Sequence, residues 1–151
     1  MKAITRSILL VGLISVATSS YAVQLVTPVE VAASRNAPPV QEASSEPADP
    51  MAPQITIFDP DAIDKAIKNP FKMEVFFKSQ DGNPVNFKSF QALYGSLKLD
   101  ITSRLMKEAV KTSMGIKLSN VNVPSGTHRI LLRIKDSQNR LAENELFFKV
   151  D

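Results

Sequence analysis

Strict alternation of apolar and polar residues is the strongest constraint on this chain. From Phe71 to Lys78, Phe71, Met73, Val75 and Phe77 fall on one side, while Lys72, Glu74 and Lys78 fall on the other. Ile130, Leu132 and Ile134 repeat the pattern within His128 to Asp136, and Leu146, Phe148 and Val150 repeat it at the C-terminus. Side chains along a strand point to opposite faces in turn, so each run predicts a strand with one face buried. Gln54 to Phe58, Val85 with Phe87, Phe90 to Tyr94, Leu97 to Ile101 and Ile116 to Val121 add shorter runs, punctuated by Asp81-Gly82, Pro124-Ser125-Gly126 and Ser137 to Asn139. Strands at this spacing predict a mainly β fold, an antiparallel sandwich of two sheets.

Two segments have a different period. From Thr102 to Met114, Leu105 and Ala109 continue a stripe from Ile101, beside a row of Met106, Val110 and Met114. That spacing predicts one short amphipathic helix inserted between strands, ending at Gly115, with Arg104 and Glu108 placed to pair on its surface. Ala62, Ile63, Ala66 and Ile67 predict a helical turn or two, capped by Asp61 and stopped at Asn69-Pro70.

The start of the chain reads as an export signal. Lys2 and Arg6 precede an apolar run from Ile8 to Ala17, and the small residues Ser20 and Ala22 flank Tyr21. Such a run is shorter than the roughly 20 residues a spanning helix needs and fits a cleavable signal peptide over 1–22, cut after Ala22. This predicts a periplasmic or secreted protein. There is no Cys, so neither a lipid anchor nor a disulfide framework is available, and the core must hold the fold unaided.

Residues 23–53 differ in composition from residues 54–151. They contain Pro38, Pro39, Pro47, Pro50 and Pro53, many Ala, Ser and Glu, and no aromatic residue. That composition predicts a disordered leader, with Val29 to Ala33 as its one apolar cluster, ahead of a single domain over 54–151. The leader carries Arg35 against Glu30, Glu42, Glu46 and Asp49, while 15 basic side chains stand against 11 acidic ones from Gln54 onward. Without its signal the chain is close to neutral, which argues against nucleic acid as a partner.

One stretch resembles a known family. Pro124-Ser125-Gly126-Thr127-His128 precedes Ile130-x-Leu132-x-Ile134-x-Asp136, and a polar turn leads to Phe147-Phe148-Lys149-Val150. This resembles the last hairpin of bacterial immunoglobulin-like and fibronectin-III-like domains, in which a Pro-x-Gly-x-His turn opens the penultimate strand and an Asp-x-x-Gly-Asn turn joins it to the last. Here Arg140 stands after Asn139 and the turn has no Gly. The resemblance implies an immunoglobulin-like module for binding, spacing or presentation, with no catalytic residues.

Residues that could carry chemistry are few. His128 is the only histidine, so a His-rich metal site cannot form, and its expected role is to hydrogen-bond the neighbouring turn. Asp59, Asp61 and Asp64 form the densest acidic cluster, but they lack the Gly and the distant bidentate Glu of a calcium loop, so helix capping accounts for them better. Glycines are scattered and make no phosphate loop. No catalytic residue, metal or cofactor is expected.

Phe76, Leu131 and Phe147 fall on otherwise polar faces and form the candidate interaction surface, unless the inserted helix or the second sheet covers them. The pattern therefore points to an exported, non-enzymatic protein-interaction or structural domain of the bacterial envelope. The alternative is a glycan- or polysaccharide-binding module, suggested by a Lys-rich surface that includes Lys65, Lys68, Lys72 and Lys78. Mass spectrometry of the protein recovered from an envelope fraction should find Val23 at the N-terminus; an intact Met1 would refute the signal.

Overall fold

A computed structural model describes residues 22–38, 49–60 and 65–151. They form two β-sheets packed face to face. The first sheet has the order β1-β7-β3-β2, built from β1 (Val23–Gln24), β7 (Gly115–Asn122), β3 (Phe71–Lys78) and β2 (Gln54–Asp59). The short β6 (Val110–Lys111) also pairs with β7. The second sheet has the order β5-β4-β8-β9, from β5 (Leu99–Asp100), β4 (Val85–Tyr94), β8 (Gly126–Asp136) and β9 (Leu141–Val150). Pairing is antiparallel except where β1 joins β7 in parallel.

The alternating runs supply the core. Phe71, Met73, Val75 and Phe77 from one sheet meet Ile130, Leu132, Ile134, Leu146, Phe148 and Val150 from the other. Each such side chain removed from water contributes about 1.5–3 kcal/mol, and this burial is what holds a chain without disulfides together. Phe71 and Phe148 touch across the sandwich with ring centroids 5.5 Å apart.

Four expectations are corrected. The inserted helix α2 spans only Thr102–Glu108; Ala109 leaves it with extended backbone, and Val110–Lys111 turns back as β6. Gly115 therefore begins a strand and does not end a helix. Pairing with the edge of β7 outweighs the helical period of Val110 and Met114. Next, the turn at 62–67 is not helical at its described end, because Ile67 bridges in parallel to Val150, its N–H donating to the Lys149 carbonyl at 2.8 Å. Asp61 and Asp64 lie outside the described residues.

The leader is corrected over its described part. Thr27 and Glu30 form a reciprocal capping box around Pro28 and start α1, Pro28–Asn36. Leu25, Val26 and Val31 are buried in the same core as the sandwich, which repays the ordering of a segment too poor in apolar residues to fold alone. Fourth, Arg104 pairs not with Glu108 but with Glu30 of α1, in two hydrogen bonds of 2.8 and 2.5 Å.

The sheets are also locally irregular. In β2, Ile57 faces Val75 and Asp59 faces Glu74, so Phe58 is the extra residue of a bulge. Close approach matters at Gly115, where a Cβ would stand 2.1 Å from the Val75 carbonyl oxygen. The variant Gly115→Ala must push β7 from β3, and urea unfolding should register a loss of about 1–3 kcal/mol. An unchanged midpoint would contradict the tight β3–β7 contact.

Candidate functional site

The candidate site lies at the end of the sandwich where α1 crosses the β4–β5 turn and the start of β8. Three polar contacts hold α1 there. The Ser34 hydroxyl accepts the Ser96 N–H at 2.9 Å, Glu30 grips Arg104, and Arg35 donates to the Ser125 carbonyl at 3.5 Å. Gly95 is needed beneath the helix: its φ of +65° favours glycine, and a Cβ would stand 1.8 Å from Ser34 Oγ. Arg104 also donates to the Leu25 carbonyl at 3.1 Å, so one guanidinium ties down both halves of the N-terminal segment.

Under α1 lies a buried polar pair. His128, only 2% exposed, is an inward-facing residue of β8. Its Nε2 is 2.7 Å from the Pro124 carbonyl, and its Nδ1 is 2.8 Å from the Tyr94 hydroxyl. A carbonyl can only accept, so Nε2 carries the proton and donates; in the neutral ring Nδ1 is then bare and accepts from Tyr94. Both ring nitrogens are thus satisfied in the neutral imidazole.

The surroundings favour that neutral form. Burial lowers the His128 pKa below its ordinary value, and the nearby positive charge of Arg35 lowers it further, while the Pro124 carbonyl opposes both. Burial likewise raises the Tyr94 phenol. The expectation that His128 bonds its own hairpin turn matches the Pro124 contact; Tyr94 as its second partner was not legible, since 34 residues separate them. Glu30 is held down to about 2, chiefly by its hydrogen bonds from Arg104.

A cleft of about 210 Å³ opens beside this pair. Arg35, Ser96, Thr127 and Phe147 form its walls, and Tyr94 and His128 its floor. A second hollow of about 160 Å³ lies on the other side of Ser34, between α1 and Leu97 and Leu99. The capping pattern Thr27-x-x-Glu30 with Pro28 was the sequence signal for the helix that makes both.

The residues expected to form one interaction surface are divided between two sheets. Phe76 lies on β3, half-buried against Phe58, whereas Leu131 and Phe147 lie on β8 and β9. Leu131 is corrected outright, being only 9% exposed. Its neighbours on that face are Leu93 across the β4 pairing and the ion pairs Arg129–Glu145 and Arg133–Glu143, whose stems cover apolar surface. Phe147 stays 55% exposed, with the Arg129 guanidinium 5.4 Å from its ring centre. Asp59 ends β2 opposite Glu74. Among the described residues no three His, Asp or Glu side chains gather as a metal site, and no helix is long and apolar enough to cross a membrane.

Two measurements check the buried pair. Tyr94→Phe leaves His128 Nδ1 without its donor and should cost about 1–3 kcal/mol in urea unfolding. Because His128 titrates below 6.5 in the folded chain, the unfolded state binds more protons as pH falls past that value, so stability should drop there. The stability difference between wild type and His128→Gln should therefore be constant above 6.5 and shrink below it; a difference that grows on acidification would refute the neutral assignment.

The chain matches no protein-family profile and no curated protein. Among solved structures it is similar to the crystal structure of CopC from Methylosinus trichosporium OB3b, at 18% identity and a TM-score of 0.41, over 65% of this chain and 94% of that one.

Proposed function

We propose that this chain is an exported, non-enzymatic domain of the cell envelope that binds another protein, using an immunoglobulin-like sandwich as its scaffold. The observation that carries this reading is the pair Phe58 and Phe76. Phe58 is the bulged residue of β2, at the edge of the first sheet, and is 58% exposed. Its ring meets Phe76 edge-on at 4.8 Å. The Lys117 ammonium sits 5.6 Å from the Phe76 ring centre and 2.5 Å from Glu74.

An aromatic held in solvent and rimmed by charge resembles the core and rim of a protein contact. Bulges at sheet edges commonly aim such side chains. Phe58 thus replaces Leu131 as the companion of Phe76. The non-enzymatic half of the reading is supported by the buried polar groups, since His128, Tyr94 and Asp136 spend their hydrogen bonds within the fold. Export rests on the pattern from Lys2 to Ala22.

A photo-cross-linking amino acid at position 58 tests the proposal in the native envelope. It should give one discrete adduct that is absent when the same group replaces the exposed Lys107 on α2. Phe58→Ser should abolish capture of that partner by affinity purification with an unfolding midpoint within a few degrees of wild type. Equal cross-linking at both positions, or none at 58, would overturn the reading.

A further inference from the structure

We infer that the cleft beside α1 is a binding site for a carboxylate carried on a short apolar or aromatic body. This site is separate from the protein-binding reading and uses none of the Phe58–Phe76 residues.

The charge of the cleft comes from Arg35. It is exposed in the last turn of α1 and lines the cleft. Its bond to the Ser125 carbonyl is long, at 3.5 Å, and among the described residues no acid pairs with it. The other guanidinium that lines it, Arg129, is paired with Glu145. Among the described residues Arg35 therefore has no acid paired to it, and its guanidinium has the planar form that binds a carboxylate through two parallel hydrogen bonds.

The remaining walls select what that carboxylate is attached to. Val31 and the exposed ring of Phe147 are apolar, and Ser96 and Thr127 also line the cleft. The Tyr94 hydroxyl and both His128 nitrogens are engaged with each other and with Pro124, so the floor presents ring surface and no free donor. A volume of about 210 Å³ is below the roughly 300–1,000 Å³ of pockets for drug-sized ligands, so it suits a small fragment. Bare phosphate would satisfy Arg35 but leave Phe147 and Val31 unused. A small free acid and the C-terminal residue of a polypeptide share the required chemistry.

Titration of the isotope-labelled mature chain with phenylacetate, monitored by amide NMR, tests the site. Phenylacetate should shift the amides of Ser96, Thr127 and His128, and phenylacetamide, its uncharged analogue, should not. Arg35→Gln should weaken phenylacetate binding at least about tenfold, the scale of one charge-assisted pair, with an unfolding midpoint within a few degrees of wild type. Peptides ending in Phe, with free or amidated termini, separate the two sources: tighter binding of the free-ended peptide than of phenylacetate identifies a chain end, and the reverse identifies a small acid. Equal binding of acid and amide, unaltered affinity in Arg35→Gln, or no shift at these amides would overturn the inference.

Discussion

The rest of the structure depends on the register of β8. This strand is hydrogen-bonded along both edges, to β4 and to β9, and its pairing with β9 runs unbroken from Gly126 opposite Val150 to Lys135 opposite Leu141. Its two faces are chemically opposite: His128, Ile130, Leu132 and Ile134 enter the core, while Arg129 and Arg133 carry ion pairs outside. A slip of one residue would exchange them. The turn after β8 holds the register. The Asp136 carboxylate accepts the Gln138 and Arg140 backbone N–H groups and the Arg140 Nε–H, and Asn139 takes the left-handed conformation at φ 62°. Burial raises the Asp136 pKa, but these hydrogen bonds outweigh it and keep the carboxyl charged. Arg140 also bonds Asp81, so the same residue ties in the β3–β4 turn.

That arrangement places His128 beside α1, whose Val31, Ser34 and Arg35 line the same cleft. The helix brings little apolar surface of its own. Its fit comes from polar contacts, Ser34 to Ser96 and Glu30 to Arg104, spread around the apolar anchor Val31. The neutral imidazole, the lowered Glu30 and the nearby cleft are thus products of one docking event between a segment and the end of a sandwich.

Much of this was legible in the residues. Phe71 to Lys78 appears as β3 with the bounds its alternation predicts, and the inward residues of β8 and β9 are those the pattern selects. Periodicity succeeds there because each strand is long and one-sided. It failed where a local pattern competes with a distant partner: Val110 continues the helical row of Met106 but, with Lys111, pairs with β7. It failed also at 22–38, where Pro and Ala outweighed the capping box in the composition, and at Leu131, which is buried although alternation places it on the solvent-facing side. Phe58 could not be recognised, because a bulge leaves no mark on an alternating run. The cleft draws on α1, the β4–β5 turn, β8 and β9, a meeting that local patterns do not encode.

The docking of the N-terminal segment has a consequence for the order of assembly. Glu30 finds its partner 74 residues later, Ser34 finds its own 62 residues later, and Leu25 bonds Asn122. Chains are made from the N-terminus, so this segment emerges before the strands it caps and can dock only after they have closed their long loops. Until then it has local support from its capping box and helix hydrogen bonds such as Val31 N–H to the Thr27 carbonyl. Leu25, Val26 and Val31 spend that interval in water, and their apolar surface is hidden only when the segment docks.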